Sequence, residues 1–260
     1  MDAKAASLQN VLIDGSPYNV NVWVSAIHPK GHEFAAAGAD LSPAIFSAAP
    51  NAFGNALGRF SMEDKATGSH ALSLAYNHDG SVLAMGTNTG DVFLFDTASR
   101  EQIAVIFDHA LPVRALHFSA PGSMFADHLF VGSDDGTTSM HDVSMLRNMH
   151  TTSFVTLLQA NHGWILDAKA SADGGIVATT SSDGVLQLYS LATMPIESVA
   201  TMTQPSPIWC LGWKPQQGVS EEQDALSMQM LPQGADIIVG DEDGCLRRYR
   251  NAGTSSSMDA

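Results

Sequence analysis

Ten histidines and 27 acidic residues are the side chains of this sequence that could bind a metal ion or transfer protons. The sequence contains no His-Glu-x-x-His helix motif, phosphate-binding loop, Gly-x-Ser-x-Gly elbow or Cys-x-x-Cys pair. The acidic turns Ser133–Gly136 and Asp241–Gly244 lack the alternating oxygen ligands and the distal glutamate of a calcium loop. We therefore predict no catalytic residue, no metal and no cofactor, and we do not expect an enzyme.

The balance of acidic and basic residues bears on whether nucleic acid can be a partner. Acidic residues outnumber basic ones by 27 to 12, and the formal net charge is -15, so a phosphate backbone would meet a repulsive field. We predict no direct binding to nucleic acid. No apolar run approaches the roughly 18 residues of a membrane span, and residues 1–10 do not resemble a secretory signal, so we expect an intracellular protein without membrane contact.

The two cysteines are far apart in the sequence. Cys210 and Cys245 each lie in a strand-like stretch. We expect two buried free thiols in preference to a disulfide or a metal site.

One pattern of apolar strands and turns recurs along the chain. An apolar strand, a turn and a second strand are followed by an Asp-Gly or Asn-Thr-Gly turn and a third strand that ends in an aromatic residue. Alternating apolar residues have the two-residue period of strands, and Asp-Gly between apolar runs predicts a hairpin. Copies lie near residues 18–47, 70–97, 109–143, 162–191 and 206–250.

Short apolar segments after three of these copies predict a fourth, outer strand. They lie at residues 101–107, 152–158 and 197–202. The sequence therefore predicts an all-β domain over residues 1–250, made of four-stranded antiparallel sheets. A disordered tail is expected over residues 251–260, which are rich in serine and glycine.

This pattern resembles the WD-repeat β-propeller family. Phe95-Asp96 and His141-Asp142 stand where that family has its terminal Trp-Asp. The resemblance implies about five recognisable blades, the C-terminal part of a seven-bladed propeller, with residues 8–13 as an outer strand of the preceding blade. Two upstream blades would then be absent, through truncation or because the native chain is short.

The resemblance also implies a hydrogen-bonded network that stabilises each blade. In the family, a turn aspartate, a histidine and a serine or threonine form this network. His109 with Asp135 and His162 with Asp183 are the most complete pairs, and Asp243 is the turn residue of the last copy.

Five residues near the starts of first strands are candidates for partner binding: Trp23, Leu111, Arg114, Trp164 and Trp209. In a propeller these positions open onto one rim of the central channel, where tryptophan and arginine are typical interface anchors. The alternatives are packing of the tryptophans between blades and simple solvation of Arg114. Trp213 is expected in the core.

Three inserts depart from the repeat and are expected to be mobile surface loops: residues 48–69, 120–128 and 216–233. The basic cluster at residues 247–250 fits an exposed last strand better than a site for a phosphate or an acidic partner.

Within the WD-repeat family, the order of local features is similar to the subunit shared by the Ski (superkiller) RNA-decay complex and the Paf transcription-elongation complex. The stretches that carry this resemblance are residues 18–29, 70–96, 109–118, 133–136, 162–168 and 181–184. It implies a non-catalytic scaffold in cytoplasm and nucleus, with a helicase and a tetratricopeptide protein, or Paf-type subunits, as partners. The alternatives are another WD-repeat adaptor, in ubiquitin ligation, chromatin or ciliary transport, and a propeller hydrolase.

Overall fold

The structure is a computed structural model that describes residues 11–13, 16–18, 22–39, 41–62, 69–121, 125–159, 162–192, 195–214 and 236–250. Its described elements are β-strands and one four-residue helix, α1 (Leu146–Met149). The all-β fold class predicted from the sequence is confirmed. The chain divides into two compact units, residues 1–113 and 114–260.

The strands of the first unit form a hairpin and two four-stranded sheets. The hairpin consists of β1 (Val11–Ile13) and β2 (Ser16–Tyr18). The first sheet consists of β3 (Val22–Ile27), β4 (Glu33–Gly38), β5 (Ala44–Ser47) and β6 (Ala56–Arg59). The second consists of β7 (Ala71–Tyr76), β8 (Val82–Thr87), β9 (Val92–Asp96) and β10 (Glu101–Ile106).

The second unit contains three more sheets, and its first strand starts at the boundary. One sheet consists of β11 (Val113–Phe118), β12 (His128–Ser133), β13 (Thr137–Asp142) and β14 (Ser153–Gln159). The next consists of β15 (Ile165–Ala170), β16 (Ile176–Ser181), β17 (Val185–Ser190) and β18 (Glu197–Thr203). The last has three described strands, β19 (Ile208–Trp213), β20 (Ile237–Asp241) and β21 (Leu246–Tyr249).

Each sheet is an antiparallel meander, because every strand pairs with its neighbour in chain order. The strands β10, β14 and β18 are the outer strands that the sequence predicts after three repeats. The Asp-Gly turns behave as expected, since Gly136, Gly184 and Gly244 all have a positive φ. This arrangement is that of the four-stranded blades of WD-repeat propellers.

The core lies between the faces of consecutive sheets in each unit. Strands β8 and β16 are buried at every residue. In the second unit, alternate residues of β16 pack against the preceding and the following sheet. In the first unit, Ile45, Leu83 and Phe95 belong to one apolar cluster between the two sheets. In the second unit, the corresponding layers contain Phe130, Val177, Tyr189, Leu188, Ile208 and Val239.

The expectation of a loop across residues 48–69 is wrong in part. Strand β6 lies within this insert and pairs with β5, which completes the first sheet. The pairing register shifts between Ile45 and Phe46, and Gly58 has a φ of +146°. These irregularities break the alternation by which the sequence reveals a strand. The insert at 216–233, the tail at 251–260 and residues 8–10 lie outside the described residues.

The expectation of buried cysteine side chains is also wrong. Cys210 and Cys245 are free thiols, as predicted, but both are exposed. Cys210 lies opposite Gly240, which in turn pairs with Leu246, and this face of the last sheet also exposes Ile238. Apolar residues on both faces of β20 misled the sequence reasoning, because only the opposite face joins the core.

Candidate protein-docking site

Two of the three predicted rim tryptophans lie at bulges in first strands. The pairing register of β3 shifts at Trp23, and that of β19 shifts at Trp209. A bulge inserts one extra residue and turns its side chain away from the regular alternation. Trp23 and Trp209 are 58% and 51% exposed, respectively, so a large part of each side chain faces solvent.

Trp164 and Arg114 are in contact in the second unit. The guanidinium carbon of Arg114 lies 5.3 Å from the centre of the Trp164 ring, within the range of a cation–π interaction. The same guanidinium donates two hydrogen bonds to Asp134, with Nε–Oδ1 and Nη2–Oδ2 distances of 2.6 and 2.9 Å. We call Arg114 and Trp164, together with the Asp134 that binds the arginine, the arginine–tryptophan pair.

The arginine–tryptophan pair combines exposure with fixed geometry. The Trp164 ring is 51% exposed, whereas Asp134 is almost enclosed. Arg114 is therefore held in place by Asp134 and is not a freely solvated charge. Asp134 was missed by the sequence reasoning, and the signal for it is the additional acidic residue directly before Asp135 in the turn Ser133–Gly136.

The other two predicted rim residues belong to the first unit. The Trp23 ring packs edge-on against His70 at a centroid distance of 4.5 Å. Leu111 is 46% exposed. A joint surface of all five candidate residues stays a prediction.

The turn between β16 and β17 holds the backbone that leads to Trp164. One carboxylate oxygen of Asp183 accepts the backbone N–H groups of His162 and Gly163, both at 3.1 Å. The Ser182 hydroxyl accepts the Trp164 N–H at 2.9 Å, and the Ser182 N–H donates to the Trp164 carbonyl at 2.9 Å. The network of this blade therefore positions a rim residue.

The predicted pair of His162 and Asp183 is in contact, through the backbone N–H of His162. The His162 residue is exposed, and its backbone amide makes the described contact with Asp183. Residues 162 and 163 lie close to the turn between β16 and β17, so their backbone N–H groups donate to the Asp183 carboxylate. A Cβ atom at Gly163 would lie 2.7 Å from both the Asp183 nitrogen and the Ser182 hydroxyl oxygen.

Hydrogen bonds to Asp183 lower its pKa below the usual aspartate value. Partial burial alone would raise the pKa, but the Ser181 hydroxyl and three backbone N–H groups (His162, Val185 and Gly163) favour the charged form more strongly. The ionised carboxylate is thus part of the folded structure of the turn.

The other predicted network residues have varied roles. Asp243 accepts a hydrogen bond from the Ser206 hydroxyl, just before β19. Asp135 accepts the backbone N–H and the hydroxyl of Thr137 at 2.9 and 2.6 Å. His109 is buried, and its pairing with Asp135 stays a prediction.

Asn88 performs the turn function in the second sheet and was missed by the sequence reasoning. Its side-chain oxygen accepts the His70 N–H at 2.7 Å and the Ser69 hydroxyl at 3.2 Å. Asn88 lies one residue before Thr89, which occupies the position of the turn aspartate in this copy. A side-chain amide oxygen accepts the same hydrogen bonds as a carboxylate, so an Asn beside the expected position was the available signal.

A polar contact also connects the first strands of the last two sheets. Asp167 accepts the Leu211 N–H at 2.9 Å, and Lys169 donates to the Leu211 carbonyl at 2.6 Å. The Trp213 ring nitrogen donates to the Lys169 carbonyl at 3.0 Å, so Trp213 is packed against the core as predicted.

Burial, together with the charge of Lys169, lowers the pKa of His117 to about 4, although Asp167 opposes the effect.

Metal-donor groups also gather in the first unit. Ligand atoms of His28, His32 and Glu33, at the hairpin between β3 and β4, lie within 4.8 Å of one another.

In the part of the chain that the structure describes, no helix has the length and hydropathy needed to cross a membrane.

Comparison with known proteins supports the interpretation of the repeat. Residues 100–142 match the family model "WD domain, G-beta repeat". The chain is 29% identical over 146 residues, 55% of its length, to the anaphase-promoting complex subunit cdc20 of Dictyostelium discoideum. It is 30% identical over 172 residues, 66% of its length, to the echinoderm microtubule-associated protein-like 2 of Rattus norvegicus.

These matches cover only part of each relative. The aligned segment is 27% of the cdc20 subunit, 24% of the rat protein and 14% of the human echinoderm microtubule-associated protein-like 1, which is 28% identical over 123 residues. Together with the four-stranded meanders, they establish the type of repeat. The chain carries the WD40 repeat, and its fold class is that of the WD-repeat β-propellers.

Proposed function

We propose that this protein is a non-catalytic scaffold that binds other proteins through the rim carrying the arginine–tryptophan pair. The observation that carries the proposal is that Trp164 is half exposed while Arg114 and the Ser182 turn fix its position. A side chain that is already ordered loses little conformational entropy when a partner covers it. Aromatic residues and arginine are also enriched among interface residues that contribute most to affinity.

The particular assembly that we propose is a Ski-type RNA-decay complex in the cytoplasm, with a Paf-type complex in the nucleus as a further site of action. The support is the resemblance carried by residues 109–118, 133–136 and 162–168. Arg114, Asp134 and Trp164 lie in these three stretches. The partners would be a helicase and a tetratricopeptide scaffold, or Paf-type subunits, and the acidic net charge argues against direct contact with RNA.

A second candidate is an adaptor of another WD-repeat assembly. The supporting observation is the similarity to a subunit of the anaphase-promoting complex and to microtubule-associated proteins over half or more of the chain. In that case the same rim would bind a partner of a different kind, because a propeller does not determine its ligand.

Affinity purification from the native organism tests both candidates. A tagged full-length chain is compared with the double variant Trp164→Ala, Trp209→Ala and with the control Phe154→Ala, which removes a similarly exposed aromatic residue from outer strand β14. We expect partners to bind the control and to be lost from the double variant. A helicase with a tetratricopeptide protein identifies a Ski-type complex, polymerase-associated factors a Paf-type complex, and ubiquitin-ligase or microtubule proteins the second candidate. Retention of every partner by the folded double variant would refute the rim as docking site.

A further inference from the structure

The hairpin between β3 and β4 closes around three potential metal ligands. The His28 N–H donates to the Glu33 carbonyl at 3.0 Å, and the Gly31 N–H donates to the His28 carbonyl at 2.8 Å. The turn therefore brings the ends of the segment His28–Glu33 together. The His28 and His32 ring centres are 4.3 Å apart, and Nε2 of His32 lies 3.8 Å from Oε2 of Glu33.

The hydrogen bonds of His28 define which ring nitrogen can bind a cation. Nδ1 accepts the Lys30 N–H at 3.1 Å, so the neutral ring carries its proton on Nε2, which donates to the Gly80 carbonyl at 3.1 Å. Metal-binding histidines usually donate their second ring N–H to a carbonyl or carboxylate in this way.

The second sheet is shaped to admit the His28 ring. A Cβ atom at Gly80 would lie 2.0 Å from Nε2 of His28, so only glycine leaves room for this contact. The ring also packs edge-on against Tyr76 at a centroid distance of 5.1 Å. His28 is thus held in one orientation by two residues from outside its own hairpin.

An enclosed hydroxyl group next to this cluster has no hydrogen-bond partner. The Tyr76 hydroxyl oxygen is buried without an acceptor or donor, and the Tyr76 ring packs against His28 of the cluster. Buried polar groups are normally satisfied. A water molecule or hydroxide on a cation beside Glu33 would supply the missing partner.

We propose that His28, His32 and Glu33 form a binding site for a divalent transition-metal cation of the Zn²⁺ class. Two imidazoles and one carboxylate are a typical zinc donor set, whereas Ca²⁺ and Mg²⁺ prefer oxygen ligands throughout. Cation binding at Nδ1 of His28 displaces the Lys30 N–H, a neutral hydrogen bond at an exposed turn that water can replace. His32 is exposed, so the fourth coordination position is open to solvent.

This site departs from the expectation of no metal. The sequence search tested ligand spacings typical of a helix or of paired cysteines. Here the ligands are brought together by the backbone hydrogen bonds of a β-hairpin, in the order His-x-x-x-His-Glu.

Calorimetric titration of the full-length, metal-free chain with Zn²⁺, and absorption spectroscopy with Co²⁺, test the proposal. The variants are His32→Ala and Glu33→Gln, which leave the buried His28 in place, and the control is His162→Ala in the second unit. Loss of a mere outer hydrogen-bond partner weakens metal binding about 10- to 100-fold, so loss of a ligand should weaken it at least as much.

We expect one Zn²⁺ per chain and the intense visible bands of low-coordinate Co²⁺ in the wild type and the control, and loss of both in the two ligand variants. Circular dichroism of each variant confirms that it is folded, and either folded ligand variant alone suffices for the test. Absence of binding at micromolar Zn²⁺, or equal binding by wild type and ligand variants, would overturn the proposal.

Discussion

Asp167 accepts the backbone N–H of Leu211, 44 residues later in the chain, at a distance of 2.9 Å. The same carboxylate oxygen pairs with Lys169, which in turn donates to the Leu211 carbonyl. The two charged side chains thereby satisfy both backbone groups of one residue in the neighbouring first strand. They connect consecutive sheets at a place where no β-ladder does so in the described topology.

Asp167→Asn should therefore destabilise the second unit. A hydrogen bond to a charged group contributes about 1.5–3 kcal/mol, and the substitution also leaves Lys169 without its ion pair. We expect the free energy of unfolding in urea to fall by about that amount. Glu197→Gln removes a negative charge from an exposed site of the same unit and should have little effect, so an equal loss in both variants would contradict the specific role of Asp167.

The Asp183 turn provides a second prediction. Asp183→Asn keeps the shape of the side chain but weakens its charge-assisted bonds to the His162 and Gly163 amides. We expect a loss of about 1–2 kcal/mol in unfolding free energy. We also expect greater mobility of Trp164, measured by fluorescence anisotropy in a chain whose other three tryptophans are replaced by phenylalanine. A Trp164 signal identical to that of the wild type would show that the turn does not position the ring.

The pKa of Asp183 also predicts a pH dependence. Because the folded-state pKa lies below the usual aspartate value of 3.8, the unfolded state takes up the proton more readily. The contribution of Asp183 to the free energy of unfolding is complete above the usual aspartate value and is lost as the pH falls through the folded-state pKa. Urea unfolding across the acid range should therefore show a smaller loss of unfolding free energy for Asp183→Asn than for the wild type.

His117 should affect the free energy of unfolding over a higher pH range than Asp183 does. Its pKa is lowered from 6.5 to about 4, so the unfolded state binds the proton first as the pH falls. Stability from the neutral ring is present above pH 6.5 and declines between 6.5 and about 4. His117→Gln should flatten the stability curve over this range. An unchanged slope would mean that the ring is not buried as a neutral group.

Two glycines at equivalent turns offer a matched comparison of backbone strain and steric contact. Gly184 and Gly244 have φ values of +78° and +76°. A Cβ atom at Gly184 would lie 2.1 Å from the Gln204 carbonyl oxygen, whereas Gly244 has nothing within 4 Å. Gly244→Ala should cost about 1–2 kcal/mol for the left-handed conformation, and Gly184→Ala should cost clearly more. Equal losses in thermal unfolding would contradict the close approach at Gly184.

Local sequence pattern was sufficient to predict most strands but not the identity of hydrogen-bond partners. The alternation in residues 92–95 and 186–189, with an Asn-Thr-Gly turn before the first and an Asp-Gly turn before the second, predicted β9, β17 and their hairpins. These signals depend only on neighbouring residues. Strand β6 was missed, since a register shift and Gly58 obscure its period.

The missed contacts depend on tertiary geometry. The use of the His162 backbone amide follows from how closely two segments approach, and the pairing of Arg114 with Asp134 joins β11 to the turn after β12. The exposure of Cys210 depends on which face of the last sheet is covered. None of these relationships leaves a periodic signal in the sequence.

Site-specific photo-crosslinking in the native organism tests the docking role of the rim most directly. A photoreactive amino acid replaces Trp209, which is exposed at its bulge, and in a separate chain it replaces Phe154 on outer strand β14. We predict that the Trp209 position crosslinks to a partner protein and that the crosslink is lost when Trp164→Ala is added, whereas the Phe154 position gives no such product. Crosslinks to the same partner from Phe154 and none from Trp209 would contradict the account.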